Sequence, residues 1–291
     1  MSDIVSLSCS SWNPRVTASE QEGAVDALER GDVLLFPQLA FAIQDDERQF
    51  VAPSLLGRAK NISLDPSTGS LRGARIDEAD SQRLQKLLSR YATSSRQLLR
   101  CLLPTYETGL EQARTSFRPV EIAGRRTSWR KDDTRLHVDS FPSSPTQGRR
   151  ILRVFTNVNP QGQTRNWRLG EPFESLAGRY LPAIHGPVWG SGRVLALLGI
   201  TKRRRTPYDH YMLRLHDRMK ADAQYQSSVA QRACEFPAGS TWMVFTDVVS
   251  HAAMSGQYAF EQTFHLPVSV MRNPSRAPLR VLENLRRREL A

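Results

Sequence analysis

The feature that most limits what this chain can become is a change of period near residue 117. Before it, apolar residues recur at helical spacing. After it, short β-rich runs alternate with Gly, Pro and Asp turns. Many short strands broken by frequent turns favour stacked antiparallel sheets or a barrel over a parallel sheet. Strands are expected over residues 120–123, 127–130, 136–138, 151–158, 194–200, 241–245 and 260–267. One helical insert at 208–223 carries Tyr211, Met212, Leu215 and Met219 on one face. The expected fold class is mainly β with helical extensions, around a double-stranded β-helix (jelly-roll) core.

The first hundred residues read as helix. Ser19-Glu20-Gln21-Glu22 has capping-box spacing ahead of Ala24, Val25 and Leu28, and Gly31 is placed to stop that helix. Residues 33–36 are a short buried strand ended by Pro37. Residues 58–73 form a polar loop, with turn chemistry at Asp65-Pro66 and Thr68-Gly69. Leu84, Leu87, Leu88, Tyr91, Leu98, Leu99, Leu102 and Leu103 then mark one long helix, or two with a break near Thr93-Ser94-Ser95. The expected organisation is a helix-rich N-terminal extension packed on the core (1–116), a β-rich core with a helical insert at 206–224 (117–271), and a basic tail (272–291). In that tail Leu279, Leu282 and Leu285 align on a short helix.

The sharpest local motif is Leu136-His137-Val138-Asp139. On a strand, residues i and i+2 face the same side, so His137 and Asp139 can enter an interior together. His251 lies 114 residues further on, beyond a turn at Pro237-Ala238-Gly239 and a buried strand. His-x-Asp with a distant His is the ligand set of a facial triad, which suits Fe(II) and leaves positions for a bidentate co-substrate and O₂. Taken alone, His-x-Asp is also compatible with a hydrogen-bonded surface pair.

Charge bears on the partner. There are 40 Lys+Arg against 29 Asp+Glu, a net +11, and only five of the 40 are lysine. Such an excess suits nucleic acid, an anionic membrane or an acidic substrate. No apolar stretch approaches the ~20 residues that span a bilayer. The N-terminus has no basic region followed by an apolar core. Cys9, Cys101 and Cys234 form neither a CxxC pair nor a finger spacing, and read as inert thiols of a reducing cytoplasm.

The run from Trp129 to Pro160, WRKDDTRLHVDSFPSSPTQGRRILRVFTNVNP, resembles the Kdo hydroxylase family, as do Lys60-Asn61-Ile62-Ser63-Leu64-Asp65-Pro66 and the segment around His251. The resemblance covers most of the chain, and HVDSFPSSPTQGRRILRVFTNVNP is its specific part. It implies an Fe(II)- and 2-oxoglutarate-dependent dioxygenase that uses O₂ to hydroxylate C3 of 3-deoxy-D-manno-octulosonic acid (Kdo) in Kdo-lipid A, giving Ko. It also implies that His137, Asp139 and His251 hold the iron. The expected location is cytoplasmic, with peripheral contact on an anionic inner membrane. A homo-oligomer stays open.

One departure stands out. Many enzymes of the wider superfamily hold the far carboxylate of 2-oxoglutarate with an Arg or Lys about ten residues after the second His. Here that region reads SGQYAFEQTFHLP and has neither. Arg153, on the same face of its strand as Ile151, Phe155 and Asn157, is the expected replacement, with Asn157 and Gln262 as polar helpers. A buried Arg needs a carboxylate, and Glu171 or Asp247 would serve as well as a co-substrate. Arg125, Arg126, Arg130 and Lys131 precede the metal strand and are expected to meet substrate anions.

The other histidines read as structural: His210 and His216 at the surface of the insert, His185 in a loop, His265 on a late strand. Trp129, Trp167, Trp189 and Trp242 read as core, with Trp167 the one placed to stack on a sugar. Lys202-Arg203-Arg204-Arg205 and Arg286-Arg287-Arg288 are either solvated loops or anion and membrane contacts. Two alternatives remain at this level: another 2-oxoglutarate dioxygenase acting on nucleic acid or protein, and a basic jelly-roll binding module without catalysis. No helix-turn-helix or RNP-like signature supports a nucleic acid beyond charge.

Overall fold

The structure, a computed structural model, describes residues 2–57 and 59–291. Strand β1 (Ile4–Ser6) leads to helix α1 (Ala18–Arg30). Thr17, not Ser19, is the N-cap. Its hydroxyl accepts from the Glu20 N–H, and the Glu20 carboxylate accepts from the Thr17 N–H. Gly31 at φ 89° ends the helix in the left-handed region, as expected. Strand β2 (Val33–Phe36) returns parallel to β1.

The expected polar loop at 58–73 holds a small hairpin, β3 (Ile62–Leu64) and β4 (Leu71–Arg72), around an Asp65 turn. Strands this short show no period-two signal. Helix α2 (Glu78–Leu102) is unbroken. Ser95 satisfies its own hydroxyl on the Tyr91 carbonyl, so the Thr-Ser-Ser stretch does not interrupt the helix.

There follow β5 (Glu111–Arg118), β6 (Arg150–Asn157), β7 (Arg165–Leu169), α3 (Phe173–Tyr180), α4 (Ser191–Leu197), α5 (Pro207–Ala221), α6 (Ala223–Ser228), β8 (Arg232–Phe236), β9 (Thr241–Phe245), β10 (His251–Ser255), β11 (Ala259–Leu266) and α7 (Pro278–Arg286). Two sheets form. One has eight strands in the order β1-β2-β9-β6-β11-β5-β3-β4, and the other three in the order β10-β7-β8. Among the described residues every strand pairing except β1–β2 is antiparallel. Strands from before residue 119 supply five of the eight in the large sheet.

The large sheet has two unlike faces. On β6, Leu152 and Val154 enter a core with the helices, while Phe155 packs with Trp242 of β9 and with Trp167 and Phe236 from the small sheet. Leu84, Leu87, Leu88 and Tyr91 of α2 cover Phe117 and Phe260. The Tyr91 hydroxyl donates to the Val154 carbonyl at 3.2 Å and ties the helix to the sheet.

Three expectations are corrected. Residues 120–123 and 127–130 form no strand, and 136–138 contributes only an isolated bridge between His137 and His251. Residues 194–200 are the end of α4 and a turn. A short apolar run is ambiguous between the two periods, and Val194-Leu195-Ala196-Leu197 took the helical one. Helices also hold more residues than strands, so the fold is mixed α/β around an antiparallel-rich sheet instead of mainly β.

Candidate metal centre

The bridge that replaces the expected strand builds the centre. The His137 N–H donates to the His251 carbonyl at 3.0 Å, and the His251 N–H donates back at 2.9 Å. Two residues on, the Asp139 N–H donates to the Thr246 carbonyl at 2.8 Å. This reciprocal clamp sets His137 and Asp139 beside His251. One ligand-capable atom from each of the three lies within 4.8 Å of the others.

The imidazole tautomers follow from their partners. His137 Nδ1 lies 2.8 Å from the Arg135 carbonyl and His251 Nδ1 lies 2.8 Å from the Val249 carbonyl. A carbonyl only accepts, so each Nδ1 carries the proton and each Nε2 keeps a free lone pair. The two rings sit 4.6 Å apart, and Trp167 stacks on His251 at 5.1 Å and 23°. Burial pushes both histidines below their usual range; for His137 the neighbouring His251 and Lys220 add to it. Burial works against the Asp139 carboxylate, but Arg153 and then His251 outweigh it and hold the group at about 2. Two neutral imidazoles and one carboxylate are the donor set that fits a divalent iron.

A line of alternating charge runs outward from the triad. Asp139 meets Arg153 at 3.0 Å, Arg153 meets Glu261 at 2.9 Å, and Glu261 meets Arg118 at 2.6 Å. Arg118 faces Asp133 at 3.6 Å, and Asp133 pairs with Lys60. Burial lowers Lys60 to about 8, the Asp133 carboxylate opposing it. Arg153, Glu261, Arg118 and Lys60 line a cavity of about 550 Å³ whose wall carries seven Lys/Arg against three Asp/Glu. Such a cavity concentrates small organic anions next to the metal ligands.

Of the residues singled out in the sequence, His137, Asp139 and His251 come together, with Arg153 beside them. Arg153 is paired to Asp139 and Glu261, not to Glu171 or Asp247. Glu171 holds Arg179, and Asp247 holds Arg150. Asn157 and Gln262 are not in the site. The Asn157 amide donates to the Gln163 and Phe236 carbonyls. Gln262 lies on the far face of β11, donating to Ala113 and Thr263 and accepting from Thr115. Arg125, Arg126, Arg130 and Lys131 also miss the cavity wall. Arg125 donates to the Val120 carbonyl, Arg126 and Lys131 are exposed, and Arg130 pairs with Asp217 over the Trp129 ring.

Further placements differ from expectation. Trp167 is buried behind His251 and presents no face to a sugar. His216 stands edge-on to His137 at 5.5 Å, away from open solvent. Trp189 is not core. The residues overlooked were Arg118, Glu261 and Lys60. The signal was a polar period of two on β5, where Gln112, Arg114, Ser116 and Arg118 all face the cavity.

A two-histidine, one-carboxylate triad beside a cationic cavity places the protein among the mononuclear non-haem iron dioxygenases. Residues 11–289 match the family model of 3-deoxy-D-manno-oct-2-ulosonic acid (Kdo) hydroxylase. The chain belongs to this Kdo hydroxylase family. Crystal structures of the Kdo hydroxylase KdoO, a non-heme Fe(II) alphaketoglutarate-dependent dioxygenase, are similar throughout. Its complex with alphaketoglutarate and Fe(III) is 49% identical, with TM-score 0.96, over 99% of this chain and 97% of the other. Its complex with cobalt(II) is 50% identical, with TM-score 0.96 and the same coverage. Its complex with succinate and Fe(III) is 49% identical, with TM-score 0.95 and the same coverage. None of the curated proteins searched matches the chain.

Proposed function

We infer that this chain is an Fe(II)- and 2-oxoglutarate-dependent hydroxylase that converts Kdo of Kdo-lipid A to Ko at C3. The observation that carries the reading is the pair of Nδ1–H donations, which aims two free Nε2 atoms and the Asp139 carboxylate at one point beside a cationic cavity. Iron with 2-oxoglutarate and O₂ supplies the oxidation of an unactivated C–H bond. The chain's own residues do the rest. His137, Asp139 and His251 hold the metal on one side and leave the cavity side free. Arg153 neutralises Asp139 and fixes its orientation, and Glu261 holds Arg153 in turn. Arg153 is the proposed partner for the far carboxylate of 2-oxoglutarate, since it lies on the cavity wall directly beside the triad. The remaining wall cations suit the carboxylate of the sugar acid.

The two sheets are read as a jelly roll in which β10 and the bridge at His137 carry the ligands. We propose a division at residues 116 and 271 into extension, core and tail, in which the extension lends strands to the large sheet. The test is mass spectrometry of Kdo-lipid A for the gain of one oxygen atom, paired with iron analysis after anaerobic purification. The expected result is product only with Fe(II) and 2-oxoglutarate, and loss of both iron and product in His137→Ala, Asp139→Ala and His251→Ala. Full activity of His251→Ala, or product without 2-oxoglutarate, would overturn the reading.

A further inference from the structure

One segment turns its apolar side chains to solvent. Trp189 is 95% exposed, Leu197 86%, Val188 79% and Leu198 68%, and Val194 and Ile200 are more than half exposed. Helix α4 buries no residue on any side. Scattered exposed apolar residues are ordinary, but a contiguous group of this size marks a contact surface.

The charge around it has one sign. Residues 175–208 contain no Asp or Glu, while Arg193 lies within the apolar segment and Lys202-Arg203-Arg204-Arg205 follow it. Among the described residues Lys202 reaches only Asp65, at 3.7 Å, and Arg203 only Glu111, at 3.5 Å, and Arg193 and Arg204 form no ion pair. The segment is rooted on the active-site cavity. The Lys202 N–H donates to the Ser143 carbonyl at 2.8 Å, and Arg205 donates to the Pro142 carbonyl at 2.6 Å. Gly192 lies so close to the Arg205 carbonyl that a Cβ would not fit, which closes the loop on itself. Pro142, Ser143, Lys202 and Arg203 all belong to the cavity wall.

We propose that residues 188–205 are a membrane-docking element that buries Val188, Trp189, Leu197, Leu198 and Ile200 in an anionic bilayer surface and sets the mouth of the cavity on the headgroups. Hydrocarbon receives the apolar group, and anionic headgroups receive the cations beside it, so both forces act in the same direction. An indole at the edge of such a group fits the interface between headgroup and acyl chain. A second copy of the chain fits worse, because a two-fold contact here would bring the same unpaired cations together. No helix is long and apolar enough to cross a membrane among the described residues, so the contact is peripheral. The inference rests on the hydroxylase reading for its purpose, since a lipid-linked sugar would approach from the bilayer, but docking itself does not require catalysis.

The full-length protein is sedimented with vesicles of phosphatidylcholine alone and of phosphatidylethanolamine with phosphatidylglycerol. The expected result is binding to the anionic vesicles, weakened by salt. A Trp189→Ser/Leu197→Ser/Leu198→Ser variant is expected to partition at least about tenfold less, with Arg193→Glu/Arg204→Glu also reduced. The serine variant keeps its far-ultraviolet circular dichroism, its iron content and its turnover of a delipidated Kdo glycoside, and loses turnover of vesicle-bound Kdo-lipid A. Absence of wild-type binding to either vesicle overturns the proposal. So does equal partition of wild type and serine variant, or a dimer in sedimentation velocity that the serine substitutions dissolve. Vesicle binding of this pattern without hydroxylation would sink the enzyme reading and leave docking intact.

Discussion

Arg150 and Arg153 lie three residues apart on β6 and serve opposite ends. Arg150 points to the helix side, where its guanidinium is fully buried, bonded twice to Asp247 at 2.7 and 3.2 Å and laid over the Phe245 ring. Arg153 points to the cavity, between Asp139 and Glu261. The first pair is closed: no further ligand can enter. The second is open on one side and shares a carboxylate with the metal centre. The carboxyl groups respond accordingly. Burial pushes Asp247 above its usual range despite Arg150, whereas Asp139 is held at about 2. The pair teaches that strand alternation, rather than residue type, separates an arginine that holds the fold from one available to chemistry.

The largest effect that would test this contrast is on stability. Asp247→Ala leaves a buried, unpaired guanidinium and is expected to cost about 3–5 kcal/mol in chemical denaturation. Added divalent metal should not rescue it, because Asp247 is no ligand. Rescue by metal would break the distinction.

Arg153→Met is expected to act on the site. It removes a charge-assisted contact of about 1.5–3 kcal/mol, so 2-oxoglutarate affinity should fall roughly 10–100-fold by titration calorimetry. The apo protein should lose stability, since Asp139 and Glu261 lose their shared cation, and added metal should restore part of it by neutralising Asp139. Unchanged co-substrate affinity would place its anchor elsewhere on the wall.

The smallest effect concerns pH. His265 faces the cavity from β11, and burial, then Arg149, lowers it to about 4. Its folded value lies below the unfolded value near 6.5, so the unfolded chain takes up the proton first. The stability it contributes is therefore complete above pH 6.5 and is lost as pH falls through about 4. His265→Gln should flatten the acid limb of stability against pH, read by chemical denaturation from about pH 4 to pH 7.

Much of this is legible in the sequence alone. Helix α2 follows from apolar spacing, because it buries one face at the helical period, and strands β2, β6, β9 and β11 follow as short β-rich runs, because they are buried on both faces almost throughout. The two faces of β6 were also readable, as was the triad. Strands β5, β7, β8 and β10 were not, since their cavity-facing or edge positions carry Arg, Glu and Ser where a strand pattern expects apolar residues. Helix α4 reads as a strand from its sequence because a short apolar run does not distinguish the two periods.

The sequence by itself determined the family, because the motif around His137-x-Asp139 is contiguous, and through that resemblance it singled out the three ligands; the bridge that brings His251 beside them is tertiary. It also determined that Arg153 would be buried and in need of an anion. Only the tertiary structure decided which anion. Asp139, Glu261, Arg118, Asp133 and Lys60 are scattered over more than two hundred residues; the pairing of β5, β6 and β11 brings Arg118, Arg153 and Glu261 together, and the loop residues Lys60, Asp133 and Asp139 fold against them. Charge pairing is set by distance in space, and a linear pattern holds no record of which strands become neighbours.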